Sequence, residues 1–206
     1  EVGIAYQALW RAGAVPTPVL FLLTEDELRH VVEDSGAVAV VTTPEFLPKV
    51  EAAAGAARVV VVGGAGGVPW EELEAAAELA VVDREGSDLA ALLYTGGTTG
   101  RSKGVALTHA SLAASGKAVA DTSHRPGINT ILLPLPLYPH EPQTSYLLRW
   151  FDAATWVALV EEHRIQRSAL VPSMLQLLLA QPLEQHDLSC LVRVSSGAAP
   201  LAREVA

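Results

Sequence analysis

Short apolar runs alternate along the whole chain with stretches whose apolar residues recur at three- and four-residue spacing. Runs at 38–42, 59–62, 89–93, 104–107, 131–137, 168–171 and 191–195 are rich in Val, Leu and Ala and read as strands. Segments 4–12, 24–35, 44–54, 70–79, 108–120, 152–163 and 173–180 read as helices. Several carry their own boundary signals. Thr24-Glu25-Asp26-Glu27 has the spacing of a capping box, and Gly36 is placed to stop the helix it opens. Thr108 and Asp152 are N-cap residues for the helices that follow them. Prolines keep Val15-Pro16-Thr17-Pro18-Val19 extended, and residues 63–67 form a glycine-rich surface loop. Pro134 and Pro136 make 131–137 an edge strand or an irregular wall. Strand and helix in alternation predict an α/β fold with parallel-rich sheets flanked by helices.

The 206 residues suit one large domain or two small ones, with 1–88 and 89–206 as candidate subdomains. A net charge of −9 argues against nucleic acid, whose backbone needs a basic face. The single cysteine, Cys190, can form no intrachain disulfide. Its place at the start of strand-like Cys190-Leu191-Val192 predicts a buried, inert thiol. No run of about 18 apolar residues is present, so no membrane span is expected. The chain opens on Glu1-Val2-Gly3 without a basic leader, and cytoplasmic residence is the expectation.

Chemistry concentrates in Tyr94-Thr95-Gly96-Gly97-Thr98-Thr99-Gly100-Arg101-Ser102-Lys103-Gly104, directly after the apolar run at 89–93. Glycines let a backbone turn with its N–H groups bared, and consecutive bared amides form an anion-binding concavity. The threonine hydroxyls add donors, while Arg101 and Lys103 add charge that strengthens bonds to phosphate oxygens. The segment reads as a polyphosphate cradle at the end of a strand. Its spacing does not fit the Walker pattern. Gly64-Ala65-Gly66 fails as a dinucleotide fingerprint because Pro69 stands where the third glycine belongs. Gly100-Arg101-Ser102-Lys103-Gly104 does match the nucleophile elbow of α/β-hydrolases, which leaves a serine hydrolase using Ser102 as an alternative. That elbow needs a helix immediately after the serine, whereas Gly104-Val105-Ala106-Leu107 is β-like.

Taken whole, the segment closely resembles the phosphate-binding loop of the adenylate-forming superfamily of acyl-CoA synthetases, adenylation domains and luciferases. That loop reads approximately Tyr-Thr-Ser-Gly-Thr-Thr-Gly-x-Pro-Lys-Gly. The chain departs from it at Gly96 and Ser102, and both changes keep the turn chemistry. A second element, Ser196-Gly197-Ala198-Ala199-Pro200-Leu201, follows the last predicted strand. By itself it is an ordinary strand-to-helix turn with Pro200 at the first helical position. It also resembles the family's Gly-Gly-Ala-Pro-Leu segment, where backbone and small side chains line the adenine.

The resemblance extends through Trp10-Arg11-Ala12-Gly13-Ala14-Val15-Pro16 and Leu22-Leu23-Thr24-Glu25-Asp26-Glu27-Leu28. It implies part of the large N-terminal domain of the adenylate-forming enzyme fold over 1–206, and an ATP-dependent acid–thiol ligase using ATP, Mg2+ and coenzyme A on a small-molecule carboxylate, a fatty acid by expectation. ATP would meet Thr95, Gly96, Gly97, Thr98, Thr99, Gly100 and Lys103 at the phosphates, and Gly197, Ala198, Ala199 and Pro200 at the base. Lys103 and His140 are the candidate catalytic residues. Tyr138, His140, Val171 and Met174 are candidates for the acyl pocket, with core filling at helical spacing the alternative for Met174.

The family places a histidine right after an aromatic in that region, whereas Pro139 separates Tyr138 from His140, and the stretch from 138 to 151 is shorter than the pattern. His140-Glu141 is no zinc motif, because Thr144 stands for the second histidine and Pro142 would break the helix, so no metal site is expected. The resemblance further places an amino-terminal portion before Glu1. After Ala206 it expects a ribose-binding aspartate, a hinge and a small C-terminal domain with a catalytic lysine. By itself the 206-residue chain is expected to bind nucleotide poorly and not to turn over. A truncated, non-catalytic nucleotide-binding module is the alternative.

Overall fold

The computed structural model describes residues 2–95, 101–123, 127–133 and 144–201 and divides into two compact units, Glu1–Ser115 and Gly116–Ala206. Its sheets are parallel apart from one antiparallel hairpin.

The first unit opens with α1 (Val2–Arg11) and α2 (Glu25–Ser35). The capping box forms as its spacing demands: Glu27 N donates to Thr24 Oγ1 at 3.3 Å and Thr24 N donates to Glu27 Oε2 at 2.7 Å. Gly36 ends α2 in the left-handed region at φ 64, a conformation that costs glycine nothing. The strand β1 (Ala39–Thr42), the helix α3 (Leu47–Ala53) and the strand β2 (Arg58–Val61) follow, with Val40 opposite Val59 in a parallel pair. A two-residue strand β3 (Val68–Pro69) adds to the other side of β2. Leu28 and Val32 from α2 close with Val50, Ala53 and Ala54 over Val40 and Val59 to make this unit's apolar cluster.

Two helices are shorter than their sequence pattern. Phe46 N bonds Thr43 O and Leu47 N bonds Pro44 O, so residues 43–46 form a turn and α3 begins at Leu47. The helix α4 (Trp70–Glu74) ends well before residue 79, although Ala and Glu follow. Downstream, Val82 N donates to Arg11 O at 2.8 Å and the Arg84 guanidinium bonds Gly13 O, which draws this stretch out along the end of α1. Tertiary contact overrides helix propensity here.

The strands β4 (Leu89–Thr95) and β5 (Lys103–Thr108) form the antiparallel hairpin. A boundary at 88/89 would place it in the second subdomain. The hairpin instead sits in the first unit, where Trp10 Nε1 donates to Ala90 O at 2.8 Å and Leu92 N donates to Pro16 O at 3.2 Å. The helix α5 (His109–Ser123) starts where Thr108 predicts, with Ser111 N donating to Thr108 Oγ1 at 3.2 Å.

The second unit is a four-stranded parallel sheet in the order β7-β6-β8-β9, built from β6 (Thr130–Leu133), β7 (Thr144–Leu147), β8 (Arg167–Leu170) and β9 (Arg193–Ser196). The helix α6 (Ala153–Glu162) is capped by Asp152, whose Oδ1 accepts from Thr155 N at 2.8 Å, and α7 (Pro172–Leu179) carries its proline in the first turn. Trp156, Val157 and Val160 of α6 pack on Leu132, Ile165 and Leu170. The buried Ser168 hydroxyl donates to Leu132 O at 2.7 Å and accepts from Trp156 Nε1 at 3.2 Å, so helix and strands share one satisfied polar contact.

Two sequence readings change. The strand β7 is not signalled by the sequence, and β6 lies centrally between β7 and β8, not at an edge, because it ends at Leu133 ahead of Pro134 and Pro136. Cys190 is half-buried in a turn ahead of β9, closed by Leu191 N to Leu188 O at 2.9 Å, and is not a buried strand residue. Its Sγ reaches Val160 O at 3.5 Å.

Candidate functional site

The hairpin register sets the site. Thr95, the last residue of β4, lies directly opposite Lys103, the first residue of β5, and both are exposed. Successive strand side chains point to opposite faces, so Thr95 and Lys103 share one face of the hairpin while Tyr94 takes the other. A hydroxyl donor and an ammonium therefore stand side by side where the two legs part. Residues 96–100 connect them, and the expectations for Gly96, Gly97, Thr98, Thr99 and Gly100 lie outside the described residues.

The opposite face rests on α2. The Tyr94 hydroxyl donates to Asp34 Oδ2 at 2.6 Å. Partial burial first, and this hydrogen bond second, push its pKa up to about 12. His30, one turn before Asp34, meets Ser102 O through Nε2 at 3.0 Å and sets its ring edge-on to Tyr94 at 6.3 Å. A carbonyl oxygen can only accept, so Nε2 carries the proton. The next β5 residue after Lys103 is Gly104, opposite Tyr94, where an added Cβ would lie 3.1 Å from the ring Cζ and 3.2 Å from the hydroxyl. The glycine of the Lys-Gly pair thus makes room for Tyr94. Sequence reading found Lys103 but missed His30 and Asp34. Their only signal was an i, i+4 spacing on the polar side of α2.

Ser102 leads into the strand β5, not a helix, and His30 reaches its carbonyl. The strand–serine–helix elbow is not formed.

In the second unit, β9 ends at Ser196 and Gly197, Ala198, Ala199 and Pro200 follow on the surface. A Cβ added to Gly197 would meet nothing within 4 Å, so neighbouring protein atoms do not require glycine there. Ala198 holds φ 67, a region that L residues enter at a cost. Val171 is the N-cap residue of α7, and Met174 is half-buried against the core of Leu132, Trp156 and Leu170. Tyr138 and His140 lie outside the described residues. Among the described residues no group of three or more His, Cys, Asp or Glu side chains gathers to hold a metal, and no helix is long and apolar enough to cross a membrane.

Parallel sheets, helices and a threonine- and lysine-bearing hairpin define the class: an α/β protein with the fold of the N-terminal domain of adenylate-forming enzymes. The N-terminal domain of FACL13 from Mycobacterium tuberculosis, solved with an inhibitor, superposes with a TM-score of 0.86 at 26% identity over 97% of this chain and 54% of that one. ATP-bound MatB from Rhodopseudomonas palustris gives a TM-score of 0.80 at 29% identity over 98% of this chain and 43% of that one. Among sequences, 4-coumarate–CoA ligase 5 of Oryza sativa subsp. japonica is 33% identical over 231 residues, taking in 100% of this chain and 42% of the relative. The family model described as AMP-binding enzyme matches residues 1–140, and the chain belongs to that family. It spans about two fifths of the length of the curated relatives it matches.

Proposed function

We propose that the intact protein is an ATP-dependent acid–thiol ligase. A carboxylate oxygen attacks the α-phosphorus of ATP, the bond to the bridging oxygen breaks, and pyrophosphate leaves behind an acyl-adenylate. The thiol of coenzyme A then attacks the acyl carbon, its proton is lost, and AMP departs with the former carboxylate oxygen. The observation that carries this reading is Thr95 opposite Lys103 on one face of the hairpin, within a chain of the AMP-binding family. Preorganised donors of this kind stabilise charge that grows on the departing pyrophosphate.

Thr95, Thr98, Thr99 and Lys103 would bond the β- and γ-phosphates, with the amides of Gly96, Gly97 and Gly100. Gly197 to Pro200 would line the adenine, and Val171 and Met174 would wall the acyl pocket with Tyr138 and His140. Magnesium would arrive with the triphosphate. In the intact protein a small C-terminal domain would complete the site, in the cytoplasm where ATP and coenzyme A are both to hand.

The carboxylate is apolar in this reading. The Val, Leu and Met content of 133–137 and 171–178 favours a fatty or other apolar acid, and the name of the rice relative adds 4-coumarate. A panel of fatty and hydroxycinnamic acids against the intact protein, scored by pyrophosphate release with and without coenzyme A, tests the proposal. Release that depends on one acid class, with acyl-CoA formed, is expected. No carboxylate-dependent release from any acid would overturn it.

A further inference from the structure

We propose that α2 is the positioning element of the nucleotide hairpin: His30 and Asp34, one helical turn apart, hold its two legs so that Thr95 and Lys103 present their donors together. The inference rests on the ligase reading and deepens it. Each leg is held by a different kind of contact. The β4 leg is fixed by a side chain, with the Tyr94 hydroxyl on Asp34 Oδ2 at 2.6 Å. The leg entering β5 is fixed by its backbone, with Ser102 O on His30 Nε2 at 3.0 Å. Tyr94 immediately precedes Thr95, and Ser102 immediately precedes Lys103, so each anchor sits one residue from the group it would place. Tyr94 and Thr95 point to opposite faces of β4, which keeps Asp34 off the face that Thr95 and Lys103 share.

The helix that carries both anchors is itself fixed. Its start is locked by the Thr24–Glu27 box, its end by Gly36, and its apolar stripe, Leu28, Val31 and Val32, is buried. A rigid support of this kind lowers the cost of ordering donors when an anion arrives. His30 and Asp34 touch neither Thr95 nor Lys103 in any described contact, so their effect would pass through Tyr94 and Ser102.

The test is carboxylate-dependent ATP–pyrophosphate exchange in the intact protein, measured across ATP concentrations for wild type, Tyr94→Phe, Asp34→Ala, Asp34→Asn and His30→Ala. Tyr94→Phe, Asp34→Ala and His30→Ala are each expected to raise KM for ATP roughly tenfold with KM for the carboxylate unchanged, and a wild-type KM for ATP in folded His30→Ala would overturn the role of His30. Asp34→Asn, which keeps an acceptor oxygen, recovers most of the loss. The double variant Tyr94→Phe/Asp34→Ala is no worse than either single one, because both remove the same bond. Thermal melts of each variant separate misplacement from unfolding, and Tyr94→Phe removes a single hydroxyl. Wild-type KM for ATP in folded Tyr94→Phe and Asp34→Ala would overturn the positioning role and leave the ligase reading standing. Absence of exchange in the wild type with every carboxylate would instead remove the ligase reading, and this inference with it.

Discussion

Gly104 and Tyr94 face each other across the β4–β5 hairpin so closely that a methyl group on Gly104 would stand 3.1 Å from the Tyr94 ring. The ring cannot simply withdraw, because its hydroxyl is held by Asp34 at 2.6 Å. Gly104→Ala is therefore expected to destabilise the protein by about 1–2 kcal/mol, despite the gain that alanine usually brings by restricting the unfolded chain. Urea unfolding checks the sign. In an Asp34→Ala background the ring is free to shift, and the penalty should shrink. An equal penalty in both backgrounds would place the strain elsewhere.

Ala198 poses the converse case. It holds φ 67 at the surface after β9. The left-handed region costs an L residue roughly 1–2 kcal/mol, partly offset by the greater freedom of unfolded glycine. Ala198→Gly should raise the unfolding midpoint, by an amount corresponding to about 1 kcal/mol or less. A lower midpoint would show that the alanine methyl makes a contact worth more than the strain.

Asp187 gives an acid-sensitive contribution with a definite sign. Ser189 first, and Arg164 after it, lower its pKa to about 2, well below the ordinary range of an aspartate. Ser189 N donates to its Oδ1 at 3.0 Å, and Arg164 Nη1 to its Oδ2 at 2.6 Å. A carboxylate with a depressed folded-state pKa contributes stability above its unfolded pKa and loses it as pH falls through the folded value. The stability difference between wild type and Asp187→Asn should be constant above about pH 5 and decline toward pH 2. A difference independent of pH over that window would contradict the assignment.

Features written within four residues of sequence were legible, because the partners that make them are chain neighbours. Thr24 with Glu27, Gly36, Thr108 with Ser111 and Asp152 with Thr155 all form as their spacing indicates. Features decided by distant partners were not. The segment after Glu74 has helix-forming residues, yet its backbone bonds Arg11 from Val82. Strand β7 depends on register with β6, and the chain just after Cys190 is drawn to a distant partner, with Val192 N on Gln166 O. The same division holds at the site. Lys103 and Thr95 sit inside a recognisable motif, whereas His30 and Asp34 are separated from the residues they hold by some sixty to seventy positions.

Loss of Lys103 tests the central claim most directly. In the intact protein Lys103→Ala should lower carboxylate-dependent ATP–pyrophosphate exchange by about tenfold or more, the worth of one hydrogen bond to a charged group. The unfolding midpoint should stay at the wild-type value, since the side chain is exposed. Wild-type exchange from a folded Lys103→Ala protein would mean that this hairpin does not hold the triphosphate.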